Sequence, residues 1–410
     1  MTKNNKKIGT ISTIFLSAVI MGIVFTPLTP AMAGISVTLV VDGDGMGIAG
    51  DCDDGTATPY TTIQSAVDAA APGDTIIVCP GTYLEEVNIN TSDITVEGVE
   101  RPIVGDEDEA FEISANGVVL SGFETVSDDD DCIQVFGNDN KIVDNIASDC
   151  DSDGIDVFGN GNNIIANTAN SNDGEGIEVD GNDNNIKANT ANDNEEDNIR
   201  VVGDENNLQG NKANNSDDGD GIQVNGFYNT IQGNQANGND SDGLEVDGME
   251  NTIKGNTLNG NGGDGLDCDA CNSSVIQGNT INGNDDEGIN CDVCNDSVIQ
   301  GNQANGNSAD GIDLQDGSDD NLVKGNTANG NGDNGIEINN NFNEITNNNA
   351  NDNGGNGIEI QGNADDTVVT HNNVNDNTNW GIEDDGTNTT IDKNRGSGNG
   401  AGFCDGPGCP

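Results

Sequence analysis

Basic and aromatic side chains are scarce in this chain. Its 410 residues hold 12 Lys and Arg, one His, one Trp, three Tyr and nine Phe. Set against 73 Asp and Glu, this leaves a formal net charge of −61. Such a field repels nucleic acid and anionic lipid, so neither is expected as a partner. A hydrophobic share of 32% with 3% aromatics is well below an ordinary globular composition. Composition alone would point to disorder. The order of the residues points the other way.

The N-terminus has the layout of a secretory signal over residues 1–33. Lys3, Lys6 and Lys7 precede a mostly apolar run from Ile8 to Phe25, and Ala31-Met32-Ala33 forms a small-x-small cleavage site. The apolar run approaches membrane-spanning length, but the small-residue site favours cleavage before Gly34 over an uncleaved anchor. No second hydrophobic span follows, so the mature chain is expected to be exported, secreted or at the cell surface, with no membrane span. Ten cysteines, all beyond this segment, are then candidates for disulfides.

Self-similarity sets the fold. An apolar residue, usually after Gly, recurs at Ile133, Ile155, Ile177, Ile199, Ile222, Leu244, Leu266, Ile289, Ile312, Ile336, Ile358 and Ile382, at intervals of 21 to 24 residues with Phe403 as the last mark. Two residues on stands a second apolar position (Val135, Val157, Val179 and their equivalents), which writes out the inward face of a short strand. A second strand begins at Ile142, Ile164, Ile186 and later equivalents, and three residues after each mark comes Asn, from Asn145 and Asn167 through Asn372 and Asn394. Identical amides stacked at strand spacing can form a hydrogen-bonded ladder. A unit of about 22 residues with such turns buries its apolar face only against its neighbours. The expectation is an all-β, right-handed parallel β-helix of about 22 residues per coil, with a short N-terminal capping helix.

The expected layout is a cap over residues 34–73, irregular first coils over 74–130, regular coils over 131–396 and a Gly/Cys-rich tail over 397–410. In the cap, Thr61 to Ala71 reads as a helix with Thr61 and Gln64 as a capping box. Pro72-Gly73 ends it. Asp42, Asp44, Asp51, Asp53 and Asp54 are a weak further cation candidate without complete EF-hand spacing.

The string Val275-Ile276-Gln277-Gly278-Asn279-Thr280-Ile281-Asn282-Gly283-Asn284 resembles the repeat of the pectate-lyase-like superfamily, in its NosD-type carbohydrate-binding and sugar-hydrolase form. Thr62-Ile63-Gln64-Ser65-Ala66-Val67 with Pro80-Gly81-Thr82-Tyr83 is similar to the first coil of exported β-helix proteins. The resemblance implies the fold, an extracellular polysaccharide or cell-surface component as partner, and one of several activities. Its catalytic sets are incomplete here. Asp153-Gly154-Ile155-Asp156 matches part of the polygalacturonase-like set, but the only His is His371, and no Arg-x-Lys or Asp-Pro-His-Asp string occurs. A pectate-lyase-like base would fall to Arg200 beside Asp197, giving a weak catalytic alternative of Arg200, Asp197, Asp153 and Asp156. An isolated Arg in an acidic field is more often a charge-neutralising partner.

A second column carries more chemistry. Two residues before the apolar mark stand Asp131, Asp153, Glu175, Asp197, Asp220, Asp242, Asp264, Glu287 and Asp310, nine acids in succession. Outward acids follow the mark at Asp156, Glu178, Glu245, Asp267, Asp313, Glu337 and Glu359. Carboxylates at coil spacing repel by about 3 kcal/mol near a protein surface, which calls for counterions or protonation. Oxygen-only ligands at this density suit a hard divalent cation, chiefly calcium, weighed against a solvated acidic surface adapted to salt.

Cys268-x-x-Cys271 and Cys291-x-x-Cys294 lie one coil apart. Inter-coil disulfides among Cys268, Cys271, Cys291 and Cys294 are expected ahead of a four-cysteine zinc site. Cys52–Cys79, Cys132–Cys150 and Cys404–Cys409 are the expected remaining bridges. Together these features predict a non-catalytic extracellular or cell-surface rod binding divalent cations and polysaccharide. A calcium-dependent polysaccharide lyase or related sugar-active enzyme is the alternative.

Overall fold

The computed structural model describes residues 36–43, 47–48, 51–54, 59–105, 109–315 and 317–410. The signal segment and Asp44 lie outside the described residues, as do the side chains of Asp51, Asp53 and Asp54.

Two long parallel sheets run the length of the described chain, one of fifteen strands and one of sixteen. The fifteen-strand sheet starts at Val87–Ile89 and ends at Gly402–Asp405; the sixteen-strand sheet runs from Thr38–Val41 to Thr390–Asp392. The chain is thus an all-β parallel solenoid of about 15 coils, with one helix among the described residues. Each coil also contributes a short third strand or bridge, at Ile146–Ala147, Thr190–Asn192, Thr257–Asn259 and equivalent positions. Sequence reading counts only two strands per coil, because this third one holds a single inward apolar residue and shows no alternation. Residues 75–121 already pair within the same long sheets, and Gly402–Asp405 extends the solenoid into the segment read as a tail.

The repeat converts directly into packing. Ile133 pairs with Ile155, Ile155 with Ile177 and Ile177 with Ile199, all fully buried. One such row per inward position makes a continuous narrow core. The helix α1 (Ile63–Ala69) buries Ile63, Ala66 and Val67 against Thr38–Val41, Thr75–Val78 and Val87–Ile89, the first strands of the long sheets. Its N-cap is Thr62, not Thr61: the Thr62 hydroxyl accepts from Ser65 N at 3.3 Å. Glu85, one coil on, accepts from Ile63 N and Gln64 N and takes over the role expected of the Gln64 side chain.

Corners between the second and third strands are held by the Asn column. The Oδ1 of Asn256 accepts from Asn234 N at 2.9 Å, and its own Nδ2 donates to Ile231 O at 3.0 Å and Asn279 Oδ1 at 3.1 Å. The residue before each ladder Asn has left-handed φ, between 55° and 67° from Asp144 to Lys393. Gly fills that corner at Gly210, Gly233, Gly255, Gly278, Gly301 and Gly325, where a side chain is strained. Two further buried rows escape a reading by apolar marks. One runs through Asn162, Asn184, Asn206, Asn229 and Asn251, and the other through Asn261, Asn284, Asn307, Asn331 and Asn353.

Cys52–Cys79, Cys132–Cys150 and Cys404–Cys409 are disulfide-bonded. The expected bridges among Cys268, Cys271, Cys291 and Cys294 are not formed, and all four are buried free thiols. Cys268 and Cys291 are direct partners in parallel strands. Such strands sit about 4.8 Å apart, wider than the roughly 3.8 Å Cβ separation of a disulfide.

Two predictions follow from the packing. Asn256→Ala strands a buried backbone N–H and carbonyl and should cost about 1–3 kcal/mol in urea unfolding, whereas Asn259→Ala on the outer face should cost well under half of that. Thiol titration of the denatured, unreduced protein should count four free cysteines; two or none would show that the second cluster does oxidise.

Candidate functional site: a carboxylate face

The acidic column sits at the entry to the fifteen-strand sheet, and part of its role is structural. Asp131 Oδ1 accepts from Asp153 N at 2.9 Å, Asp153 Oδ1 from Glu175 N at 2.7 Å, and Asp220 Oδ1 from Asp242 N at 2.8 Å. Each of the seven Asp in the column caps the backbone of the next coil with one oxygen in this way, whereas Glu175 and Glu287 do not. Beyond Asp310 the same position is Asn334 and then Asn356, and both continue the bonding, to Asn356 N at 2.8 Å and Trp380 N at 2.9 Å. A neutral amide does this job equally well. The nine acids therefore need a second explanation.

Their surroundings supply one. Among the described residues, carboxylate oxygens gather within 4.8 Å of one another in four groups: Asp131–Asp153–Asp156, Asp153–Glu175–Glu178, Asp264–Asp286–Glu287 and Asp310–Asp313–Glu337. The turn column meets the outward row of the sheet here, because Asp156 and Asp313 stand one residue beyond the inward Ile155 and Ile312. Both were expected to face outward. They do, yet only 4% and 7% of their surface is exposed. Asp156 Oδ1 is buried without a hydrogen-bond partner. Gln134 Nε2 bridges the group, donating to Asp131 Oδ2 at 3.0 Å and Asp156 Oδ2 at 3.5 Å.

Burial, then the like charge of neighbours, pushes these acids above the ordinary carboxylate range. Asp156, Asp267 and Asp313 rise to about 7, in each case mainly by desolvation. Asp197 and Asp242 rise to about 6 for the same reason. Asp153, Asp264 and Asp310 are raised further, by burial first and by Glu175, Glu287 and Glu337 beside them. Without a counterion, this face holds protons near neutrality.

The donor set fits a hard cation. Oxygens about 2.4 Å from a calcium ion can lie up to about 4.8 Å apart, and calcium takes carboxylates in flexible geometry. Of the nine column acids, Asp131, Asp153, Glu175, Asp264, Glu287 and Asp310 enter the four groups. Asp197, Asp220 and Asp242 do not. Sequence spacing missed Asp286, which reaches its group from the turn rather than from either column.

The weak catalytic set is brought together only in part: Arg200 and Asp197 line one depression with Glu175 and Gln223. The hydrogen bonds of Arg200 there go to Glu178 on the adjacent strand and to Gln223 Oε1 at 3.3 Å. Asp156 lies two strands from Arg200, with Glu178 between them. His371 sits at a left-handed corner in a depression with Lys393 and Arg395, away from the carboxylate face. The zinc reading finds no support either. The four sulfurs form no group within 4.8 Å, and Cys271 and Cys294 donate to the carbonyls of Val246 and Cys268 at 3.4 and 3.6 Å. Burial pushes the Cys268 and Cys271 thiols up, whereas hydrogen bonds from Cys268, Cys271 and Cys291 pull Cys294 down.

One feature runs against the scarcity of aromatics. Phe136 and Phe158 stack at 5.5 Å with 10° between ring planes, and remain 46% and 39% exposed. Phe158 lies two residues beyond Asp156 in the same strand, so the two share a face.

Residues 197–343 and 316–396 match the family model of the right handed beta helix region. Residues 197–396 carry the right-handed β-helix repeat. Among curated proteins, none matches the sequence significantly. Of solved structures, the enzymatically active domain of tailspike protein 2 from bacteriophage CBA120 aligns at a TM-score of 0.51 and 14% identity, over 67% of this chain and 48% of that one. The pectate lyase Pel9A aligns at 0.39 and 18%, over 54% and 71%. The mannuronan C-5 epimerase AlgE4 A-module of Azotobacter vinelandii aligns at 0.41 and 15%, over 90% and 98%. At these identities the likeness is one of fold, the parallel β-helix. Among the described residues, no helix is long and apolar enough to cross a membrane.

The raised acids set a pH dependence. A carboxyl group whose folded pKa exceeds its unfolded value of about 4 binds more protons when folded, so its stabilisation is complete below that value and lost as pH rises through the folded pKa. In chelator, the melting temperature should therefore fall as pH rises toward about 7, the value for Asp156 and Asp313. Calcium should reverse the fall. A melting temperature that is flat over that window would rule out these shifts.

Proposed function

We propose that this chain is an exported rod that binds divalent cations, calcium foremost, on the carboxylate face of its fifteen-strand sheet. The observation that carries the reading is the exchange of acid for amide along one column. Asn334 and Asn356 show that the coil-to-coil bond needs no charge, yet the preceding coils hold carboxylates in groups of three, with a buried, unpartnered oxygen at Asp156. Disulfides at Cys52–Cys79, Cys132–Cys150 and Cys404–Cys409 support an oxidising, extracellular setting.

Polysaccharide is the proposed partner. The exposed Phe136–Phe158 stack beside the first carboxylate group offers an apolar platform for a sugar face. Arg200 is engaged with Glu178, which favours a binding role over a lyase that would use it as base.

Asp153→Asn with Asp156→Asn tests the cation directly, because the amide at 153 keeps the bond to Glu175 N while the charge is removed. Calorimetry should show calcium binding in the wild type. The double variant should lose at least one site, or about tenfold in affinity, while melting higher than wild type in chelator. Unchanged binding, or no binding by wild type, would defeat the reading and leave the column as a ladder alone.

A further inference from the structure

The few cations of this chain are unevenly placed. Of the nine Lys and Arg beyond the signal segment, Lys393 and Arg395 stand two residues apart, and the single His, His371, lies one coil before them. All three are exposed and line one depression of about 470 Å³. The rest of its lining is asparagine, with no carboxylate among the described residues. It follows the corner between the second and third strands, away from the fifteen-strand sheet and its acidic column.

Two rows build it. The corner row reads Asn347, His371, Lys393, with left-handed φ of 58°, 60° and 57°. The third-strand row reads Asn349, Asn373, Arg395, joined by parallel bridges. Both rows change type at the same coil. From Gly233 to Gly325 the corner is glycine, and the third-strand position beside it is Thr or Gln from Gln235 to Thr327. One coil later both turn to amide, and then to base. A Cβ at Gly325 would meet no atom within 4 Å, so side chains at this corner stand clear of the solenoid. Left-handed backbone is strained for a residue such as Lys393, and glycine would relieve it. An exposed corner residue held in strain without packing in return is placed for its chemistry.

The donors here are free. Among the described residues three ion pairs form, and Arg395 is in none. The Arg395 guanidinium, the His371 ring and the Asn349 amide make no hydrogen bond. Asn373 Oδ1 accepts from Asn375 Nδ2 at 2.7 Å, which leaves its own Nδ2 as an unused donor. Lys393 Nζ pairs with Asp392 at 2.7 Å, but both side chains are more than half exposed, and such a pair opens at little cost. At 0.15 M ionic strength the screening length is about 8 Å, so the remote acids of the chain act weakly on an ion in contact with these groups.

We infer that this depression is an oxyanion site that takes a sulfate or phosphate group, free or as an ester on a sugar polymer. Arg395 offers a planar fork for two oxygens, and Lys393 a second charge. The His371 ring donates from a nitrogen in either protonation state, and Asn349 and Asn373 add neutral donors. Donors from two rows and three coils suit a tetrahedral group, whose oxygens point in several directions. A carboxylate offers two oxygens in one plane and a single charge.

Calorimetry with inorganic phosphate, inorganic sulfate, dextran sulfate and unsulfated dextran tests the site. The protein is first stripped of divalent ions on a chelating resin, so that calcium cannot bridge an anion to the carboxylate face. Wild type should bind one phosphate or sulfate per chain with Kd in the millimolar range or tighter. Arg395→Gln with Lys393→Gln should weaken binding about tenfold or more, and Arg395→Lys should lose less. Asp392→Asn should tighten it, because Lys393 is released from its pair. Dextran sulfate held far more tightly than the free ions by the same residues supports the ester as ligand; equal affinity supports the free ion. Wild type that binds neither ion nor dextran sulfate, or binding that survives the double Gln variant, would overturn the inference. So would unsulfated dextran or polygalacturonate held through Arg395 as tightly as dextran sulfate. Asp153→Asn with Asp156→Asn should take up the anion as wild type does, so a failure here and a failure of the cation reading are told apart.

Discussion

The constraint on which the molecule depends is the identity of register from coil to coil. Parallel strands repeat at about 4.8 Å, and a buried amide such as Asn256, bonded at once to the coils before and after it, keeps neighbouring coils from slipping. A slip of one residue would turn Ile253 outward and expose a core only one side chain wide. With register fixed, any residue type repeated at one position becomes a straight row on the surface. Chemistry in this protein is therefore written in rows, and each row is as regular as the core beneath it.

Regularity has an electrostatic cost. A row of carboxylates at strand spacing places like charges close together, and the inner oxygens of Asp131, Asp153 and Asp220 are already tied to backbone N–H groups. The side chains cannot swing away to relieve the repulsion. Burial first, and like-charged neighbours second, raise Asp156 and Asp313 to about 7. The rigid ladder thereby holds each acid beside its like-charged neighbours. Where the row changes to Asn334 and Asn356, the same backbone bond persists and the repulsion ends, which marks the limit of the carboxylate column along the rod.

Much of this architecture was legible in the sequence because the solenoid maps sequence period directly onto space. The inward Ile column, the corner Asn column and the acidic column each needed only a constant interval of about 22 residues. Features within one coil were harder to read. The third strand is a single apolar residue such as Ala191, too short to alternate. Asp286 joins Asp264 and Glu287 from a turn position that repeats from coil to coil but holds Ser, Gly or Ala in most copies. The Phe136–Phe158 stack involves two copies only, so no column announced it. The thiols of Cys268 and Cys291 were correctly placed as neighbours, but adjacency in a parallel sheet was mistaken for bonding distance.

Charge provides the last step. The figure of −61 reads as a uniform property of the chain, but the structure divides it unevenly. Carboxylates crowd the fifteen-strand sheet and its entry turns, while eight successive strands of the sixteen-strand sheet carry none and hold lysine every third coil. An even spread of acid would solubilise the rod equally in every direction. An uneven one gives it two sides, one crowded with carboxylates and one whose strands carry none over eight coils. Since one buried ladder rules both sheets with the same spacing, the periodicity that folds the solenoid also sets where its charge is dense and where it is absent.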